Sequence, residues 1–394
     1  MGRIYVVGTA DTKGEELAYL ADRVRAAGGT PLIVDVGIRM PAIVPDVVAG
    51  AVATYGATGL LDLNDRGQAV SGMADAFAAY MASRTDVAGI VGIGGGGGTS
   101  IVTAGMRALP IGIPKLMVST LASGDTSPFV DVSDIIMMPA ITDLAGLNRI
   151  SRRVLTHAAE AIASMSDAQP VPDGGKPAVG LTMFGVTTPA VTRVAEMIGE
   201  QYEPIVFHAT GTGGRMMETL VDSGLLSAVI DVTTTEVADL LFGGVLPARD
   251  SRLDCIARLK IPYVGSLGAC DMINFWARST VPAQFTGRTF YEHNANVTLM
   301  RTTAGESRLI GQWIGNKLNA CDGPVRFLIP QGGVSALDAE GGAFWDPAAD
   351  TALFDAIANT VKWTDERRLT LVPHHINDPA FAAAAVAAFT EIMP

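Results

Sequence analysis

Cysteine is scarce in this chain. Cys255, Cys270 and Cys321 are the only three in 394 residues, an odd number set far apart with no C-x-x-C pair. That usage argues against a disulfide framework or a structural zinc site, and buried thiols in a reducing compartment, the cytoplasm, are the expectation. Basic residues are in deficit too. Lys and Arg number 28 against 40 Asp and Glu, for a formal net charge of −12. No basic stripe is visible, so nucleic acid is not an expected partner. Long apolar runs are also missing. None reaches the ~20 residues of a spanning helix, and the opening MGRIYVVGTADTKG turns polar after one short apolar run, unlike a signal peptide. Neither secretion nor a membrane partner is expected. The alanine-rich run from Pro379 to Phe389 suits a packed C-terminal helix.

Apolar residues, by contrast, make up 48% of the chain, enough for large cores. The length favours two domains. Short β-rich runs alternate with helical patterns, the grammar of parallel sheets covered by helices. Ile4–Val7, Leu32–Val34, Gly89–Ile93, Leu116–Val118 and Ile135–Met138 read as strands. A long helix follows, with Ile150, Val154, Ala158, Ile162 and Met165 on one face. The Pro- and Gly-rich stretch 169–177 reads as a linker. Beyond it the grammar restarts, with strands at Val179–Thr182, Ile205–Phe207, Val229–Val232, Tyr263–Val264, Val325–Ile329 and Leu369–Val372. The expected fold is α/β: two Rossmann-like domains, 1–168 and 178–394, each a mostly parallel sheet flanked by helices.

In such sheets ligands sit at the carboxyl ends of the strands. Three loops of the first half lie there. In Thr9-Ala10-Asp11-Thr12-Lys13, Thr12 and Glu15 have capping-box spacing, which starts a helix at Thr12. Asp11 then suits a metal or hydroxyl and Lys13 a phosphate; an ordinary polar turn with a solvated lysine is the bland alternative. The run Gly94-Gly95-Gly96-Gly97-Gly98-Thr99 follows a strand, and five consecutive glycines lose the most entropy on ordering. Backbone amides cradling phosphate would compensate, as would tight helix–sheet packing. Gly92, Gly94 and Gly97 fit G-x-G-x-x-G, but Thr120 stands where the acidic residue of a nicotinamide dinucleotide site belongs, and Gly98 replaces the P-loop lysine. The third loop, Ser123-Gly124-Asp125-Thr126, offers hydroxyls and a carboxylate for phosphate and Mg2+, or is a plain turn. Asp11 and Asp125 are the expected metal ligands.

The stretches GTADTKGEEL, GIGGGGGTS, LMVSTLASGDTS, GVTTP, HATGTGGRMME, DVTTTEVAD, HNANVTLMRTT and PQGGVSALD span nearly the whole chain. In them the chain resembles the tomato-mosaic-virus resistance protein-like ATP-binding family and its microbial relatives. The resemblance implies an ATP-binding N-terminal subdomain, a second Rossmann-like subdomain and a homodimer; its motif residues are those of the GTADTK and glycine-rich loops.

The second half has its own candidates. His208 precedes Gly211-Thr212-Gly213-Gly214, a strand-to-helix loop able to bind a second anion, with His208 as acid or base. His293, Asn294 and Arg301 cluster around a strand-like run and suit a carboxylate or sugar-like ligand, or form a hydrogen-bonded turn. Thr233–Glu236 and Thr303–Glu306 repeat capping-box spacing. The leading expectation is a Mg2+-dependent ATP-binding protein with a small-molecule or partner site in its second domain. A lyase or hydrolase using His208 and His293 without ATP turnover, and a nucleotide-sensing dimer without chemistry, are the alternatives.

Overall fold

A computed structural model of the chain describes residues 2–168 and 175–393. Two compact units divide at residues 171 and 172. Of the expected linker, residues 169–174 lie outside the described residues, and 175–177 belong to no helix or strand.

The first unit is built on β1 (Arg3–Gly8), β2 (Pro31–Asp35), β3 (Val87–Gly94), β4 (Lys115–Ser119) and β5 (Ile135–Pro139). Their order is β2-β1-β3-β4-β5, every pair parallel. Continuous apolar strands reflect a sheet covered on both faces. Tyr5 and Val7 pack with Met73, Phe77, Ile101 and Met106 of the helices Arg66–Ala82 and Gly96–Arg107. Ile4 and Val6, pointing the opposite way, pack with Leu17, Leu20, Leu155 and Ile162 of Ala10–Ala26 and Arg149–Ser166. That last helix buries Leu155, Ala158, Ala159, Ile162 and Ala163, while Ile150 is exposed, so its apolar stripe is rotated from the expected face. Asn148 caps it, accepting from the N–H groups of Ile150 and Ser151.

The second unit has β6 (Ala178–Met183), β7 (Glu203–His208), β8 (Ala228–Thr233) and β9 (Tyr263–Gly268). An antiparallel trio follows, β10 (Met272–Phe275), β11 (Phe290–Asn294) and β12 (Val297–Arg301), then β13 (Val325–Pro330) and β14 (Arg367–Val372). The main sheet is parallel, in the order β14-β13-β9-β8-β6-β7. Its two faces carry separate cores, one on the helices Ala304–Asn319 and Pro347–Thr360, the other on Thr188–Ile198 and Pro379–Ile392. The small sheet, ordered β10-β12-β11, was not foreseen. It places His293 on a strand and Asn294 at that strand's end, where the turn to β12 begins. Among the described residues no helix is long and apolar enough to cross a membrane.

Both parallel sheets are doubly wound. In the first, successive connections run outward from β1 to β2 and then back across to β3, so chain and crossover helices diverge between β1 and β3. That switch point opens a crevice at the carboxyl ends of the two strands.

Candidate functional site

The crevice is occupied by a cavity of ≈ 280 Å³. Thr9, Asp11, Thr12 and Lys13 line it from the β1 side and Gly95–Gly98 with Ile101 from the β3 side. Val36, Ile38 and Arg39 after β2, with Arg66 and Val70 of the neighbouring helix, complete the wall. The helix after β1 starts at Ala10, with Thr9 at its N-cap and a kink at Lys13 (φ −135°), earlier than the expected start at Thr12.

The glycines divide into two groups. A side chain on Gly94 would place its Cβ 2.6 Å from the Thr99 amide nitrogen, so packing demands glycine there. At Gly95, Gly96, Gly97 and Gly98 a Cβ would meet nothing closer than 3.6 Å, and none of the four has a positive φ. The fold does not require them, although glycine in a helix costs up to about 1 kcal/mol per residue against alanine. Their helix has no side-chain N-cap, and its first internal bond runs from the Thr99 N–H to the Gly95 carbonyl at 2.8 Å. The amides of Gly96, Gly97 and Gly98 are therefore orphan donors at a helix N-terminus, beside the cavity. What the missing side chains provide is access to those amides.

Three of the four charged side chains of the wall, Lys13, Arg39 and Arg66, are cations and suit an anion. Arg39 and Arg66 are exposed and form no ion pair among the described residues. Lys13 Nζ donates to the Leu144 carbonyl at 2.5 Å, which leaves two of its three donors. Asp11 Oδ1 is buried without a hydrogen-bond partner. Behind it stands Asp35, which the sequence reading missed; an Asp closing an apolar strand was the signal. Asp35 is fully buried, and its Oδ1 accepts from the Ala10 N–H at 2.9 Å and the Gly37 N–H at 2.7 Å. Its Oδ2 is unpartnered. Burial raises its carboxyl pKa despite those two bonds.

The third loop contributes less than expected. Ser123, Gly124, Asp125 and Thr126 are not part of this wall. Asp125 is exposed, and its carboxylate accepts from the Ser127 N–H and hydroxyl at 3.0 and 2.7 Å, which lowers its pKa. It caps a turn, while Asp11 alone of the expected metal pair lines the cavity. Thr99 is buried, its hydroxyl 2.7 Å from that of Ser119.

The second unit encloses ≈ 560 Å³ near the ends of β6 and β7 and the antiparallel trio. His208 and His293, 85 residues apart in sequence, both line it, as does Thr212. The expected anion loop is already filled. Glu236, fully buried, accepts from the N–H groups of Gly211 (2.6 Å) and Gly214 (3.1 Å), and Arg252 Nε reaches its other oxygen at 3.3 Å. A Cβ on Gly213 or Gly214 would overlap the His208 carbonyl or the Glu236 carboxylate, and Gly211 has φ +78°. These glycines serve packing, and Glu236 holds the start of the helix Thr212–Asp222 rather than capping its own. Arg301 is buried elsewhere: it pairs with Asp350 at 2.6 Å and Asp338 at 3.5 Å and donates to the Phe344 carbonyl. Asn294 accepts from the Asn296 N–H in a turn. Neither residue lines the cavity; Gly185, Val186, Thr210, Val297 and Leu299 of its wall lie in the stretches GVTTP, HATGTGGRMME and HNANVTLMRTT, while Phe184, Val245, Leu246 and Trp276 lie outside every stretch singled out in the sequence.

Fold and crevice together define a tandem of two doubly wound α/β domains. Within that class the chain belongs to the Uncharacterised protein family UPF0261, whose N-terminal domain matches residues 2–170 and whose C-terminal domain matches 176–393. It is 63% identical to a UPF0261 protein of Rhizobium meliloti (strain 1021) over its whole length and 99% of that relative. A UPF0261 protein of Clostridium tetani is 44% identical over 97% of this chain and 96% of its own. The ToMV resistance protein Tm-1(GCR237) of Solanum lycopersicum is 40% identical, and this chain covers 56% of its length.

Proposed function

We propose that the first unit binds ATP as its magnesium complex, in the cytoplasm and within a homodimer. The observation that carries this reading is the row of open amides at Gly96–Gly98, on glycines that the fold does not require, at the switch point of a parallel sheet. Arg39 and Arg66 supply the countercharge that a net charge of −12 otherwise denies a polyphosphate. Asp11, with its free Oδ1, fits Mg2+, which is held by one or two carboxylates together with phosphate oxygens. When bound, the ion neutralises phosphate charge; the protein's residues position the phosphates around it. Three buried, unpaired cysteines support the cytoplasmic part, and the family resemblance supports the dimer.

The reading of His208 and His293 as an acid–base pair gains from their shared cavity. It loses from the wall itself, in which no carboxylate stands to orient either imidazole.

Calorimetry on the full chain with Gly96→Val tests the proposal. The nearest atom to a Cβ there is 3.8 Å away, so the variant folds, and its MgATP affinity should fall at least ~100-fold, about 2.7 kcal/mol. A folded variant with wild-type affinity would overturn the assignment.

A further inference from the structure

The cavity of the second unit differs in chemistry from the crevice of the first and shares no wall residue with it. Its ≈ 560 Å³ lies within the ~300–1,000 Å³ usual for small-molecule sites. Among the described residues, no Asp, Glu, Lys or Arg lines its wall. The one amide nest nearby, at Gly211 and Gly214, is taken by Glu236, so a polyphosphate finds neither countercharge nor free amides.

Three exposed polar side chains of the wall are free to meet a ligand. His208, His293 and Thr212 have no side-chain hydrogen-bond partner among the described residues. The His208 ring is held edge-on to Phe184, with centroids 5.3 Å apart. Among the described residues the two imidazoles are the only ionisable groups of the wall, and an imidazole is either neutral or positive. Any charge this cavity meets is therefore negative. The rest is apolar, and Trp276 is half exposed beside it, an indole face available for stacking.

We propose that this cavity is a binding site for a small planar organic acid, an aromatic or heteroaromatic ring bearing a single carboxylate. The ring lies against Trp276 and the aliphatic wall, and the carboxylate accepts hydrogen bonds from His208, His293 and Thr212. The site lies within the second unit and shares no wall residue with the crevice of the first.

The test is calorimetry on the full chain with 2-naphthoate and its uncharged isostere 2-naphthamide as probes. The acid should bind once per chain, at least ~10-fold tighter than the amide, about 1.4 kcal/mol. Two variants locate the site. Gly185 lines the cavity and has nothing within 4 Å of a Cβ, so Gly185→Phe fills the space without a clash. It should abolish binding of both probes while the melting temperature holds. The double variant His208→Gln/His293→Gln changes only exposed side chains and should erase the preference for the acid while amide binding persists. Absence of saturable naphthoate binding up to about 1 mM overturns the proposal. So does undiminished binding by folded Gly185→Phe, or an acid preference that survives the double variant. MgATP affinity, measured in parallel, reports on the first site and keeps the two readings separable.

Discussion

At the scale of single residues, the second unit stores unusual charge. Around Arg301 stand Asp271, Asp338 and Asp350, all buried, and three carboxylates face one guanidinium. Burial pushes the Asp350 carboxyl up to about 7, with its neighbour Asp338 adding to the rise. Asp271 and Asp338 are raised as well, for the same first cause. A proton is thus held by the folded cluster that the unfolded chain releases near the ordinary carboxylate value. The folded state binds more protons between about pH 4 and 7, so this contribution is complete below that window and is lost as pH rises through it. The second unit should melt lower at pH 7.5 than at pH 5 by calorimetry. In Asp350→Asn the cluster no longer needs the proton, and the drop between the two pH values should shrink. An equal drop in variant and wild type would show that the pH dependence originates elsewhere.

At the scale of elements, two glutamates with the same sequence signature do different work. Thr303 and Glu306 form a true capping box: the Thr303 hydroxyl accepts from the Glu306 N–H at 3.3 Å, and the Thr303 N–H donates to Glu306 Oε2 at 2.7 Å. Glu306 also holds Arg288 at 2.6 Å, and its pKa is lowered despite the opposing effect of partial burial. Thr303→Ala should cost ~1 kcal/mol of unfolding free energy, read in urea, and leave MgATP affinity alone. A change under a few tenths would mean that Arg288 alone keeps the helix start in place. Thr233 and Glu236 share the spacing, yet Glu236 crosses to the helix after β7, because a neighbouring strand end brings two orphan amides and Arg252 within its reach. Both Glu236 oxygens are engaged there, by the Gly211 and Gly214 amides and by Arg252, and a buried site with a cation is a strong partner for a carboxylate.

At the scale of the whole molecule, each parallel sheet carries cores on both of its faces from its own unit. A fragment of residues 1–168 should therefore fold cooperatively and bind MgATP within about threefold of the full chain, less than 1 kcal/mol. A folded fragment without affinity would show that the second unit contributes to the nucleotide site. The sequence by itself determined the class of fold, since unbroken apolar strands alternating with amphipathic helices are what a doubly covered parallel sheet requires. It also marked Thr9–Lys13 and Gly95–Gly98 for one edge, because residues that follow consecutive parallel strands emerge on the same side of a sheet. It did not give the strand order that puts β1 beside β3, nor Arg39, Arg66 and Asp35 at the crevice, since those neighbours meet only once the crossovers have been made. Composition could not tell glycines kept for packing, such as Gly213, from glycines kept open, such as Gly96; the difference lies in what stands where the Cβ would be. His208 and His293 reach one cavity, while Arg301 turns away into its cluster of carboxylates, for a reason local sequence does not carry: residues of the antiparallel trio and of the ends of β6 and β7 meet around that cavity, and only tertiary packing decides which side of each strand is inside.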